Sequence, residues 1–506
     1  LKFYLIFILY FLGLSSTLSQ SLYLKINGIN NLQTATIDSL GYVNKHENGK
    51  SIQTELKKFQ ENIIAHGYFN MEFLESKKYN DSTYIYRYDL KNKYNAITLY
   101  IPESYQSFVP LEFELKDNQL SLPISQTSIF LNSILSKLEK NGFSMAQAKL
   151  ENFDTSEDGK IIKASLNIDT GKTRKIDDII INGYDDFPES HRRNIVRLFK
   201  NKTFNQKQVD NIYQSFQPFQ FAKQFKYPEI LFTVDSTKVY VYLEKASANR
   251  FDGFVGFANS EDDKIRFNGY LDLMLQNALK GGERLMLYWK SDGNEQTTLN
   301  VSTELPYLFQ TPFGLKASLN IFKQDSTFQN TKNNIDVGYF FNYQTKLYLG
   351  YQSTNSNEIQ NINNALVSDF KSEFITATFE ISQPWNQHLF FNEKYAFTVK
   401  TGLGNRNAIQ KTPQQFISLH AFYNINLNEK NILFFKTENF FLNSDNFLTN
   451  ELYRFGGINS IRGFNENSLQ ANWVSSLNSE YRYMLSPSLF VHSVVDVGYF
   501  QDQAND

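Results

Sequence analysis

Cysteine is absent from the 506 residues. That excludes thiolate metal sites, thiol catalysis and disulfide scaffolds, and removes the hazard of stray disulfides in an oxidising compartment. Neither sign of charge is in surplus, with 50 Lys+Arg against 52 Asp+Glu, and no basic block forms the footprint of a nucleic-acid-binding protein. The six histidines, at 46, 66, 191, 388, 420 and 492, are scattered without metal-ligand spacing. Nucleophile-elbow, kinase-loop and zinc-protease motifs are missing. "GLGN" from Gly402 lacks the third glycine of a dinucleotide loop and reads as a turn, and "EDDK" from Glu261 reads as a solvated hairpin tip. No enzymatic activity, no cofactor and no metal is expected. Long hydrophobic runs are also lacking. Beyond the first twenty positions no segment reaches the roughly 18–20 successive apolar residues of a spanning helix.

What the chain does hold is aromatic: 46 Phe and 30 Tyr against only 3 Trp, a bias that suits pleated surfaces. "LKFYLIFILYFLGLSSTLSQ" opens it, with one Lys, an apolar run from Phe3 to Leu14 and then small residues. The run is too short to span a bilayer, so residues 1–19 read as a signal peptide cleaved after Ser19, with an uncleaved anchor as the alternative. Leu1 is not Met, which points to a sequence incomplete at its start.

Three modules are expected next, at 22–91, 92–174 and 175–246. Strand-like runs ending near Gly28, Ile101 and Gly183 open them. Amphipathic helical stretches follow, clearest in Ser51–Phe69 and Gln126–Phe143, and each stops at a glycine (Gly67, Gly142) followed by an aromatic. Paired alternating strands close each unit. The third unit matches the pattern least well in its helices.

From Arg250 the helical period gives way to strand-length segments of alternating character. Leu285, Leu287 and Trp289 oppose Arg284, Tyr288 and Lys290; Ile417, Leu419 and Ala421 oppose Ser418, His420 and Asn424. Alternation of this kind fits a soluble sandwich or a membrane barrel. The export signal and the number of hairpin-like units favour an antiparallel transmembrane β-barrel over 247–506, with a polar lumen. About eleven strands precede the stretch "RFGGINSIRGF" (Arg454–Phe464), which lies in an Asn-rich connection, and two follow it.

That stretch resembles the signature loop of the BamA/TamA superfamily of outer-membrane assembly and translocation barrels. Gly456 and Gly457, then Ser460, Arg462, Gly463 and Phe464, carry the likeness, with Glu480 on the next strand and Asp496-x-Gly498 on the one after. Val494 departs from it, since the family usually has an aromatic two residues before that Asp. The resemblance implies α+β POTRA modules in the periplasm ahead of a 16-stranded barrel in the outer membrane, here truncated to about thirteen strands. It implies a factor that binds unfolded outer-membrane proteins and templates their insertion at the seam between first and last strands. Outer-membrane lipid, periplasmic chaperones and accessory lipoproteins are the further partners it suggests, and a secretion pore for one exported protein is the alternative.

Side-chain parity places Glu480 with Asn478 and Arg482, and Asp496 with His492 and Gly498, so both carboxylates face the lumen if the polar face does. A loop arginine folded inward can bridge them with its planar fork of donors. Arg462 is therefore expected as the latch, with Phe464 wedged against the interior. Gly253 and Gly256 in the first barrel strand are expected to weaken its pairing, as a seam requires, although curvature of any barrel would use them equally.

Overall fold

The computed structural model describes residues 21–156, 160–259, 265–292, 296–325, 327–359, 367–385, 390–391 and 393–504. The signal segment, the "EDDK" tip and His388 lie outside the described residues. The chain divides into two compact units, Leu1–Arg174 and Lys175–Asp506.

The first unit holds two modules. In the first, β1 (Leu22–Asn27), α1 (Asn31–Leu40), β2 (Lys45–His46) and α2 (Gly49–Ala65) lead to β3 (Glu72–Lys78) and β4 (Thr83–Asp89). The second runs β5 (Ala96–Tyr100), α3 (Glu103–Gln106), β6 (Gln119–Pro123), α4 (Ile124–Lys140), β7 (Gln147–Thr155) and β8 (Ile161–Asp169). The sheets have equivalent orders, β2-β1-β4-β3 and β6-β5-β8-β7, with the first and last long strands parallel. Both helices of the first module start at a side-chain cap. Asn30 and Asn48 accept from the backbone N–H groups of Gln33 and Ser51 at 2.9 Å, satisfying donors that the first turn leaves free. The long helices stop at Gly67 and Gly142, whose φ values of +98° and +93° suit residues without Cβ. Ile52, Leu56, Phe59 and Ile63 of α2 recur at helical spacing and bury against Leu24 and Ile26; Phe130, Ile134 and Leu138 of α4 do the same against Ile97 and Leu99.

The second unit begins with β9 (Asp178–Asn182), α5 (Glu189–Phe199), α6 (Gln206–Phe216), β10 (Ala222–Phe232) and β11 (Thr237–Lys245), in the sheet order β10-β11-β9. The helices of this module differ from the sequence reading: both are full three-turn helices, whereas the first helix of the second module shrinks to the single turn α3. The apolar stripe of α5 is broken by His191 and Asn194, and both are buried because they face the barrel. The Asn194 side chain donates to the carbonyls of Gln310 and Thr311, at 3.2 Å each. The His191 ring packs edge-on against Tyr307, with ring centroids 5.0 Å apart, and beside Tyr343. Gly282 faces it so closely that a Cβ there would lie 1.9 Å from His191 Cε1.

Thirteen strands then form one antiparallel sheet. They are β12 (Arg250–Asn259), β13 (Ile265–Gln276), β14 (Arg284–Ser291), β15 (Gln296–Leu305), β16 (Phe313–Gln324), β17 (Phe328–Asn342) and β18 (Thr345–Glu358). There follow β19 (Phe370–Pro384), β20 (Glu393–Asn407), β21 (Lys411–Asn426) and β22 (Asn431–Ser444). A short hairpin, β23 (Tyr453–Phe455) with β24 (Leu469–Ala471), interrupts the series before β25 (Trp473–Ser486) and β26 (Leu489–Gln501). Each strand pairs with its sequence neighbour, β22 with β25 across the loop, and no ladder joins β12 to β26 among the described residues. Eleven strands precede the loop and two follow it. The ladder between β12 and β13 runs through all ten residues, Gly253 and Gly256 included. They admit close neighbours: a Cβ on Gly253 would meet the Tyr270 carbonyl at 2.4 Å, and one on Gly256 would meet Asn268 Oδ1 at 2.4 Å.

The burial pattern is the reverse of a soluble sandwich. Along β25, Trp473, Leu477 and Tyr481 are exposed at 42–49%, while Ser476, Asn478, Glu480 and Arg482 are buried at 3–9%. Val491, Val495 and Val497 of β26 and Ile335, Val337 and Leu349 of β17 and β18 continue the outward apolar face. A sheet that turns its aliphatic side chains outward and its amides and charges inward suits a hydrocarbon surround and a wet interior. No described helix is long and apolar enough to cross a membrane. This is a barrel of the outer-membrane type.

The α5 junction makes a pH prediction. Burial, with Lys346 nearby, pushes His191 down to about 3 from an ordinary 6.5. The released state therefore takes up the proton first, so docking is at full strength above about pH 6.5 and weakens as pH falls towards 3, by up to about 1.4 kcal/mol per pH unit. Protection factors of the α5 amides, with the intrinsic slowing of exchange in acid divided out, should fall between pH 6.5 and 4.5, and His191→Leu should flatten that slope. Equal slopes in the two proteins would sink the assignment.

Candidate functional site

The loop between β22 and β25 is anchored before it turns. A short 3-10 turn at Thr449–Glu451 places Asn450 and Glu451 in the lumen wall. Arg406 of β20 pairs with Glu451, both almost wholly buried, and Gln414 of β21 donates to the same carboxylate at 3.0 Å. Asn450 donates to Ser356 Oγ at 2.7 Å and to the Ser368 carbonyl at 2.9 Å. The β23–β24 hairpin then carries the chain across, and Gly456 and Gly457, at φ +104° and +93°, start the tip. A Cβ on Gly456 would lie 2.7 Å from the Asn465 carbonyl, so the returning strand of the tip leaves no room for a side chain.

At the tip the guanidinium of Arg462 lies between two carboxylates. Nη1 donates to Glu480 Oε1 at 2.6 Å, while Nε and Nη2 donate to the two Asp496 oxygens at 2.8 and 2.6 Å. The Arg462 backbone N–H adds a third bond from this residue to Asp496, at 2.9 Å. Asp496 thus receives the side-on fork that only arginine can supply. Glu480 has further donors: Arg482 Nε at 2.8 Å and the His492 ring at 3.2 Å. Arg482 in turn stacks over Phe434, its guanidinium carbon 3.9 Å from the ring centre. Ser460 contributes its carbonyl, which accepts from Asn478 Nδ2 at 2.6 Å. Val494 stands directly across the ladder from Glu480.

Phe464 is not the wedge. It is half exposed, because the chain reverses at Gly463 (φ +96°) and turns the next side chain away from the wall. Ile461 takes that role, buried with Phe455, Ala471 and Val474. Its seat is Gly498, where a Cβ would fall 2.4 Å from Ile461 Cδ1. The sequence carried a signal for this fit, a glycine in register beside a carboxylate, but not which loop side chain would fill it. The sequence reading also missed Arg406–Glu451, and the anchoring of the descending arm by Lys290–Glu466 and Asn467–Gln296. Gly253 and Gly256 lie on β12, in the ladder with β13 and not among these contacts. Among the described residues no group of His, Asp and Glu could hold a metal.

Strand-helix-helix-strand-strand modules, an inside-out barrel and this loop after the eleventh strand occur together in one chain. These features agree with the BamA/TamA resemblance of the loop sequence.

No family model and no curated protein sequence matches it. Solved structures with a similar fold include BamA from Haemophilus ducreyi lacking POTRA domains 1–3, at 16% identity and TM-score 0.47, covering 79% of this chain and 85% of that one. CdiB from Acinetobacter baumannii is similar at 14% identity and TM-score 0.48, covering 76% and 73%. CdiB from Escherichia coli is similar at 12% identity and TM-score 0.46, covering 94% and 89%.

Arg462→Ala should leave Glu480 and Asp496 facing each other without their shared cation. A fully buried partner loss costs about 3–5 kcal/mol, and the wet lumen reduces this to roughly 1–3 kcal/mol. Protease cleavage within 456–468 should become faster, and Arg462→Lys should restore protection only in part. Unchanged cleavage in Arg462→Ala would refute the latch. Gly498→Leu should also release the tip with every charge kept, by about 1–3 kcal/mol of overpacking against Ile461. The same cleavage assay reads it, and a cleavage rate equal to that of the unaltered protein would argue against the wedge.

Proposed function

We propose that the protein is an outer-membrane assembly factor, receiving unfolded barrel proteins on its periplasmic modules and directing their insertion at the edge of the barrel sheet. The observation that carries this reading is the path of the latched loop. Its ascending arm is tied to β20 and β21 through Glu451, its tip to β25 and β26 through Arg462, and its descending arm to β14 and β15 through Glu466 and Asn467. A segment bound to three parts of the wall crosses the lumen and obstructs passage along the barrel axis. Work done on a client then falls to the wall and not to a passage through it.

The modules supply the matching receptor chemistry. β3 is an edge strand exposed along all seven residues, with Phe73 and Leu74 presented beside its free backbone groups. An extended, aromatic-alternating client segment can add to such an edge through main-chain hydrogen bonds. Binding should be weak, because ordering the peptide offsets most of what one short strand gains.

Two measurements test the proposal. Depleting the protein should lower many outer-membrane barrel proteins together; loss of a single exported protein, with the rest unchanged, would identify a dedicated secretion pore instead. Residues 21–174 titrated with aromatic-alternating peptides should shift the β3 backbone amide resonances, and no shift at any edge strand would remove the receiving role.

A further inference from the structure

The carboxylate of Glu480 is shared between the two ends of the barrel. Hairpin turns alternate between the ends of an antiparallel sheet. The β19–β20, β21–β22 and β25–β26 turns therefore lie at the same end as the β15–β16 turn that meets α5, and the latched loop between β22 and β25 leaves from the other end. From that far end Arg462 reaches Glu480 Oε1. Glu480 Oε2 instead accepts from Arg482 Nε at 2.8 Å, with the His492 ring alongside at 3.2 Å. One torsion moves both carboxylate oxygens, so the donor on Oε2 sets where Oε1 meets Arg462.

Arg482 is itself held by rings. Its guanidinium carbon lies 3.9 Å from the ring centre of Phe434 and 4.4 Å from that of Phe391, and Nη1 donates to Asn424 Oδ1 at 3.0 Å. A buried cation between two ring faces is attracted to both, and more strongly than in water. The two rings differ in their support. Phe434 belongs to β22 and stands directly across the ladder from Glu480. Phe391 belongs to the β19–β20 turn, just outside a ladder that closes at Pro384 and Glu393. It packs against Trp385 and Phe490, at centroid distances of 6.4 and 5.4 Å, so its place over Arg482 depends on side-chain contacts and on no strand pairing. The neighbouring Phe390 is half exposed, packs on Phe490 at 5.2 Å and supplies neither ring of the sandwich.

We propose that Arg482 is a positioning residue of the latch and Phe391 its control at the module end of the barrel. While the Phe391 ring covers Arg482, Glu480 is presented to Arg462. Displacing that ring, which breaks no ladder bond, frees Arg482, lets the Glu480 carboxylate turn and loosens a loop that enters from the opposite end.

Limited proteolysis of the full chain in detergent micelles, scored within 456–468, tests this, with heat-modifiable gel mobility showing that each variant keeps its barrel. Phe391→Leu keeps the bulk but removes the ring face, and should speed cleavage about three- to tenfold. Phe391→Tyr restores a ring face and should stay within about twofold of the unaltered protein. Phe390→Leu, in the same turn, should leave the rate unchanged. Phe391→Leu combined with Arg462→Ala should cleave no faster than Arg462→Ala alone, because the control acts only through the latch. Native-like protection in Phe391→Leu, equal acceleration by Phe390→Leu, or a double variant cleaved faster than Arg462→Ala would each overturn the proposal. The assay contains no client, so its result is independent of the assembly reading.

Discussion

A single guanidinium organises the interior of this barrel. Arg462 satisfies Glu480 and Asp496 together, and those carboxylates come from adjacent strands, so the contact fixes the loop tip to a known height on the wall. Two acids brought close in a confined lumen repel unless a cation lies between them, and the planar fork meets both at once. The glycines and Ile461 follow from that demand. The tip must turn sharply to present Arg462, and the adjacent isoleucine finds its seat only because Gly498 carries no side chain. Glu451 and Glu466 then hold the two arms elsewhere on the wall, which makes the loop a strut across the lumen and not a lid over it.

The strut depends on an inside-out sheet. In water, burying Asn478, Glu480 and Arg482 while exposing Trp473, Leu477 and Tyr481 would be strongly unfavourable. Lipid reverses the preference on one face, and the lumen's own network answers the other. Glu304, for instance, receives Lys346 and Tyr348 near the module end of the barrel. Polar groups that would be a cost in a soluble core become the contacts that position the loop.

The third module follows a different rule from the first two. Its helix α5 uses Asn194 and His191 to meet the β15–β16 turn and Gly282, and this interface lies within one compact unit. The first two modules bury their helices against their own sheets and form a separate unit. The three modules are thus built from one repeat, and the third differs in which helix face is polar.

Much of this was readable along the chain. Period-two alternation places Glu480, Arg482, His492 and Asp496 on one face, because parity along a strand depends only on the pleat. Helix stops at Gly67 and Gly142 and the count of eleven strands then two were equally local signals. The sequence by itself determined the modules, the strands and the inward pair of carboxylates. What it could not determine was the route of the loop. Arg406 finds Glu451 across 45 residues and Lys290 finds Glu466 across 176, and neither separation leaves a period in the sequence. The exchange of Phe464 for Ile461 as the wedge, and the polar face of α5, were likewise decided only in three dimensions. A side chain's role there depends on which distant surface has room for it, and that is a property of the closed path of the chain and not of its neighbours in sequence.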